Sequence, residues 1–328
     1  MGYKDETKYY GRLAPFCEDF IKFKRIEGNK YFTESKILSA LTKYALNYDT
    51  SRVLIPKELA NDWISLQPGE SGKTAGVRET VVRQFAKYLV AHGEEAYILP
   101  NGIRKQPRSE FIPYVFTKDE IDRFFRALDK IKVAKYHKDI VKTYGLLFRV
   151  LYGTGMRLSE VLGLKMKDVD LKNGILSIWD TKFHKTRLLP MSKTLHKRCK
   201  QYAKEFRGPA LDEDMFFPNR NGEEKRQSSM HGWFRKGLWA AGIHYRGKGK
   251  GPRIHDLRHT FAVHSLKKWV DNGKDIYTLL PILCTYLGHG SIHATEYYLR
   301  LTSEIYPDIL KAVEENYGDL VPRMEVLA

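Results

Sequence analysis

The chain has 328 residues, 42% of them hydrophobic, and carries 56 Lys and Arg against 39 Asp and Glu, a formal net charge of +17. That length allows two domains, and that apolar content builds real cores, which excludes wholesale disorder. The charge points to a polyanion; nucleic acid fits better than an acidic membrane surface, because the basic residues are spread along both halves and do not gather beside an apolar anchor.

The first hundred residues read as an all-α bundle. Leu13, Phe16, Cys17, Phe20 and Ile21 follow the i, i+3, i+4, i+7, i+8 spacing of one helical face, and Ile37, Leu38, Leu41 and Ala45 repeat it. A short third helix starts at Pro56 and buries Leu59 and Trp63. A fourth carries Val77, Val81, Phe85 and Leu89 inward and stops near Gly93. Lys22, Lys24, Arg25, Lys73, Arg78 and Arg83 fall on the polar faces. The periodicity fails over 101–113, where Asn101-Gly102 and prolines mark irregular chain. Arg104, Lys105 and Arg108 make this predicted interdomain linker basic, able to cross a phosphate backbone.

The second domain spans 114–328. Thr117-Lys118-Asp119-Glu120 is a capping box ahead of Ile121, Phe124, Phe125 and Leu128. A helix from about Asp139 to Tyr152 is broken by Gly153-Thr154-Gly155. Arg157 then opens the next helix, and Glu160, three residues on, shares its face and can hold its guanidinium. Gly174 to Trp179 and Arg187 to Pro190 read as strands around a short turn with Lys182 and Lys185, so the hairpin holds a lysine out at its tip. Leu195, Cys199, Tyr202 and Phe206, then Met230, Trp233, Phe234 and Leu238, mark two scaffold helices. Arg246 to Arg253 is a basic, Gly-rich loop whose Lys248, Lys250 and Arg253 could order on phosphate. The expected fold is thus mainly α with a small β hairpin, an α+β second domain behind an all-α first one.

The last third carries the chemistry. His255 and Arg258 stand three apart on a helix and point at one target, with Asp256 supporting the turn and Leu257, Phe261 and Leu266 inward. His259 in that helix reads as a packed, satisfied histidine. The apolar run Ile276 to Leu287 is interrupted by Pro281, which predicts a kink or a helix start there. Gly288 allows a tight turn that sets His289 at a helix end, and Ser291 N-caps a helix carrying Tyr298. A final amphipathic helix holds Ile305, Ile309, Leu310 and Val313. An Arg and a His on one face, with a second His and a Tyr downstream, suit a phosphodiester. Arg forks onto phosphate oxygens, His moves protons near neutral pH, and a Tyr hydroxyl can become a covalent nucleophile.

At these residues the sequence resembles the tyrosine recombinase (phage integrase) family. Gly155-Met156-Arg157-Leu158-Ser159-Glu160 resembles its first arginine box, and Thr181 to Arg187 resembles the hairpin carrying its active-site lysine. His255-Asp256-Leu257-Arg258 and the run Leu287 to Tyr298 resemble its remaining boxes. The resemblance implies a catalytic set of Arg157, Lys182, His255, Arg258, His289 and Tyr298, with Glu160 in support. Lys182 is the positional match for the lysine and Lys185 its competitor. Family spacing selects Tyr298; Tyr297, about 100° away around a helix, is the runner-up.

In this scheme Arg157 and Arg258 hold the non-bridging oxygens and His289 adds a hydrogen bond. His255 is the candidate base, and Lys182 protonates the leaving 5′ oxygen. The implied product is a 3′-phosphotyrosine link, exchanged through a Holliday junction with no ATP, metal or other cofactor. The implied partner is duplex DNA with a specific recombination site, held by a homotetramer and contacted by the helical first domain and the basic loops. The terminal helix would dock on a neighbouring protomer or pack on its own domain. Two other readings share these residues: a type IB-like topoisomerase acting as a monomer, and a non-catalytic DNA-binding protein that keeps the fold.

Cys17, Cys199 and Cys284 lie far apart, which argues against a disulfide framework, and no Cys/His spacing resembles a zinc site. The N-terminus is too charged for a signal peptide and no apolar run reaches about 18 residues, so a cytoplasmic, DNA-associated protein with no membrane partner is expected.

Overall fold

The structure, a computed structural model, describes residues 7–66, 69–102, 112–132, 138–180, 185–247, 251–289, 297–298 and 301–302. Arg104, Lys105, Arg108, Lys182, Lys248, Lys250, Ser291 and the helix expected around Ile305 to Val313 lie outside them. The chain divides into two compact units, Met1–Glu110 and Phe111–Ala328.

Among its described residues the first unit holds four α-helices: α1 (Ala14–Ile26), α2 (Phe32–Tyr44), α3 (Lys57–Ile64) and α4 (Gly72–Ala91). Their apolar stripes meet in one core. Leu13, Cys17, Phe20 and Ile21 pack against Leu38 and Leu41, Leu59, and Val82, Phe85 and Leu89. Phe20 sits 5.4 Å from Phe85, centroid to centroid. Ser71 caps α4, its hydroxyl accepting from the Thr74 amide at 3.2 Å.

Two expectations about α4 fail together. Val77 is exposed, while Arg78 is buried. Val81, Phe85 and Leu89 are buried as predicted, but the stripe also takes in Ala75, Arg78 and Val82 and leaves out Val77. Arg78 can occupy it because every nitrogen of its guanidinium has a partner. Nε donates to Glu70 at 2.9 Å, Nη2 donates to the Ser65 carbonyl at 2.9 Å, and Nη1 reaches the Trp63 carbonyl. Arg83 likewise pairs with Glu79 and donates to the Leu99 carbonyl at 3.1 Å. These two arginines belong to the scaffold rather than to a solvated face. Pro56 is the N-cap of α3, and Trp63 packs at the edge of the core while Ile64 enters it.

The second unit builds on α5 (Lys118–Lys130) and α6 (Lys138–Thr154). The capping box is present: Thr117 accepts from the Glu120 amide, and Glu120 accepts from the Thr117 amide. Helix α6 packs against α5, α8 (Lys193–Phe206) and α10 (Asp256–Asp271), which explains its buried run Leu146, Leu147, Phe148, Val150 and Leu151. Helix α9 (Gln227–Ala240) closes on α5. A three-stranded antiparallel sheet runs in the order β1 (Val169–Asp170), β2 (Ile175–Asp180), β3 (Lys185–Pro190). Leu176, Ile178 and Leu189 point into the core. Trp179 points out, at 64% exposure, with its indole N–H on Asp168 at 2.8 Å. Strand β1 has only two residues, too few to leave a periodicity in the sequence.

Helix α7 (Leu158–Leu162) follows a glycine break after α6, and α11 (Ile276–Leu287) follows α10. Helix α11 neither starts at Pro281 nor stops there; the proline sits inside it. Ala262, Val263 and Leu266 of α10 share one apolar cluster with Ile276, Leu280, Leu283 and Leu287 of α11 and with Tyr298. Among the described residues no helix is long and apolar enough to cross a membrane, no group of His, Cys, Asp and Glu could hold a metal ion, and none of the three cysteines is in a disulfide.

Candidate active site

The site forms where the turn before α7, strand β3 and helix α10 meet the end of α11. After α6 the chain turns at Gly155, whose φ of +63° L side chains rarely adopt. A Cβ there would lie 2.5 Å from Phe261 and 2.8 Å from Leu287, so only glycine fits. The turn delivers Arg157 as the N-cap of α7. Glu160 then works three ways. One carboxylate oxygen accepts the Arg157 backbone N–H at 2.8 Å and the Arg187 guanidinium at 2.6 Å; the other accepts the Arg157 guanidinium at 2.8 Å. Burial raises the Glu160 pKa, but the bonds from Arg187 and Arg157 outweigh it and keep the carboxyl below its ordinary range.

The last turn of α11 leaves carbonyls with no partner inside the helix. Three consecutive ones take three arginines from three other elements. Arg187 of β3 donates to the Tyr286 carbonyl at 3.1 Å. Arg258 of α10 donates to the Leu287 carbonyl at 2.8 Å. Arg157 donates to the Gly288 carbonyl at 2.6 Å. The second Nη of Arg258 also donates to the Gly155 carbonyl at 2.7 Å, which joins the two glycine turns. The negative end of the α11 dipole favours cations at this point. Gly288, at φ +67°, closes the turn, and the His289 amide returns to the Cys284 carbonyl at 3.0 Å.

Three histidines line the same place. His289 stacks on Tyr298, rings 5.7 Å apart and 7° from parallel. His259 lies 5.3 Å from Tyr298, and His255 meets His259 edge-on at 4.7 Å. Burial and the positive charge of Arg258, Arg157 and Arg187 push His289 down to about 4. Burial and its neighbours His255 and Arg253 push His259 to about 3. Both imidazoles are therefore neutral near pH 7. His255 is solvent-exposed; packing beneath it and Arg258 beside it lower its pKa. Tyr298 is 3% exposed. Burial raises its pKa, while the charge and hydrogen-bonding reach of Arg258 act the other way. Its neighbour Tyr297 is 41% exposed.

Thus Arg157, Glu160, His255, Arg258, His289 and Tyr298 converge. Lys185 opens β3, its backbone paired with Asp180. Arg253 stands at the rim, 41% exposed, and donates from backbone and side chain to the fully buried Asp256 at 2.7 and 2.9 Å. Two residues were missed. His259 is not satisfied: its Nδ1 is buried without a hydrogen-bond partner. Arg187, read only as part of the hairpin, is a site member. Strand alternation held the clue, since Leu189 is a core residue and Arg187 shares its face.

The phage integrase family profile matches residues 114–304. An integrase/recombinase of Sinorhizobium fredii is 30% identical over 299 residues, 89% of this chain and 93% of its own. The tyrosine recombinase XerD of Listeria innocua is 26% identical over 317 residues, 91% and 98% of the two chains. A crystal structure of the XerH site-specific recombinase bound to palindromic difH substrate, in a post-cleavage complex, shares the fold. Its TM-score is 0.63 at 20% identity, over 91% of this chain and 82% of that one. The protein belongs to the phage integrase family, the tyrosine recombinases, enzymes of site-specific DNA recombination.

Proposed function

We propose that the protein cuts and rejoins duplex DNA at a specific site through a 3′-phosphotyrosine link to Tyr298. A phosphodiester is anionic and repels nucleophiles, so the site must neutralise charge, aim the attacking oxygen and protonate the leaving one. Arg157 and Arg258 neutralise the non-bridging oxygens, and each keeps N–H groups beyond those its carbonyl and carboxylate partners use. His289 adds a hydrogen bond to the developing charge.

The Tyr298 oxygen bonds to phosphorus as the bond from phosphorus to the 5′ oxygen breaks. The phenol proton goes to His255, with His259 between them in the free protein. Lys182 supplies the proton to the 5′ oxygen. A 5′ hydroxyl from a second duplex reverses these steps, and a second exchange resolves the Holliday junction. The covalent link conserves the bond energy, so ATP is not consumed. Four protomers on two duplexes carry out the exchange. The first unit and the basic linker 101–113 grip the flanking duplex, with Lys185, Lys248, Lys250 and Arg253 contacting phosphates near the cut.

The observation that carries this reading is the convergence of the Tyr298 phenol with Arg157 and Arg258 in one unit. The test uses duplex DNA selected from a random library by binding to the protein, nicked near the bound position so that cleavage traps the adduct. Wild type gives a protein–DNA band that survives denaturation, and Tyr298→Phe gives none while binding the same DNA. Tight binding without that band in wild type would support a binding protein instead.

A further inference from the structure

We propose that Arg187 is a positioning residue of this site, aiming Arg157 through the carboxylate they share; this rests on the reading of Arg157 as a phosphate anchor. Arg157 and Arg187 donate to the Glu160 carboxylate and Arg258 lies close enough to feel its charge, so three guanidinium groups and one carboxylate leave 3 − 1 = 2 positive charges for an anion. Those surplus charges are not shared evenly. Arg187 is 9% exposed and spends its guanidinium inward, on Glu160 at 2.6 Å and on the Tyr286 carbonyl at 3.1 Å. The Arg157 side chain is 39% exposed and can meet a ligand. Arg187 is therefore a tie, not a phosphate ligand.

What it ties is specific. One Glu160 oxygen is committed to Arg187 and to the Arg157 backbone N–H, which leaves the other for the Arg157 guanidinium. Without Arg187 that carboxylate can turn and take Arg157 in a two-pronged pair, drawing it off the Gly288 carbonyl. The turn is also shaped around Arg187: a Cβ on Gly288 would lie 2.7 Å from its Nη1. Since Arg187 lies on β3, it fastens the lysine-bearing hairpin to the α11 end that precedes His289.

The test measures single-turnover cleavage of the nicked duplex at saturating DNA, the DNA concentration for half-saturation, and thermal melting. The variants are Arg187→Met, Arg187→Lys, Glu160→Gln and the double Arg187→Met/Glu160→Gln. Arg187→Met is expected to cleave about 100-fold slower, as a displaced anchor does, with half-saturation within about 2-fold of wild type. Arg187→Lys keeps an ammonium for Glu160 but not the Tyr286 bond, so it falls between them, and it stands in if the methionine variant does not fold. The double variant loses less than the product of the two single losses, because both substitutions act on the one carboxylate that Arg187 and Arg157 share. Wild-type cleavage in both Arg187 variants, a rate loss matched by an equal loss of binding, or additive effects in the double variant would overturn the proposal. Absence of any adduct with wild type would instead bring down the covalent reading itself.

Discussion

Arg78 in the first unit and Arg258 in the second are both buried, at 8% and 3% exposure, yet they are held differently. Arg78 has a carboxylate on two of its nitrogens, backbone carbonyls on others, and lies over the Trp63 ring at 5.2 Å. Its charge is cancelled where it sits. Arg258 donates to two main-chain carbonyls and, among the described residues, forms no salt bridge. Carbonyl dipoles orient a guanidinium without cancelling it. A buried arginine with a carboxylate is a strut; one held by carbonyls alone keeps a charge available for an anion.

That contrast can be broken at either end. Glu70→Gln leaves Arg78 buried and uncompensated and should cost the first unit about 3–5 kcal/mol of stability, read by denaturant unfolding. Arg258→Met should slow cleavage by about 2.7–4 kcal/mol in barrier, roughly 10²- to 10³-fold, while lowering melting less than Glu70→Gln does. DNA binding by Arg258→Met should persist, because the affinity is spread over many basic residues. If Arg258→Met instead unfolds the protein and leaves the chemistry of the folded remainder intact, the distinction is void.

Gly155→Ala is intermediate. It forces alanine into a left-handed conformation, costing about 1–3 kcal/mol, and pushes on Phe261 and Leu287. Because the Gly155 carbonyl seats Arg258, both melting and cleavage should suffer.

The smallest effect is on pH. His289 and His259, at about 4 and about 3 in the folded protein, lie below the unfolded value near 6.5. The unfolded chain then binds more protons between those limits, so stability is complete above about 6.5 and declines as pH falls towards 4. Glu160 extends the decline as pH falls through its own lowered value. Melting scans from pH 7 to 4 should show the slope, flattened in His289→Phe.

The sequence made most helices legible because each buries one continuous stripe against a neighbour, as with Leu13 to Ile21 and Ile121 to Leu128. It set Val81, Phe85 and Leu89 of α4 inward but not Arg78, which is buried by Glu70, Ser65 and Trp63, partners outside the helix that periodicity cannot foresee. Most of the site was legible because its side chains lie in short local boxes. Arg187 and the unsatisfied His259 were not, since their roles come from tertiary contacts: Arg187 meets Tyr286, and His259 meets the Tyr298 ring.

The α11 end also has a consequence for biosynthesis. Its carbonyls at 286–288 grip arginines encoded at 157, 187 and 258, and Tyr298 comes later still. As the chain leaves the ribosome, the cations emerge first and have nothing to seat them. Contacts of such long range form late, so the three arginines are drawn together only once the chain has been made through α11.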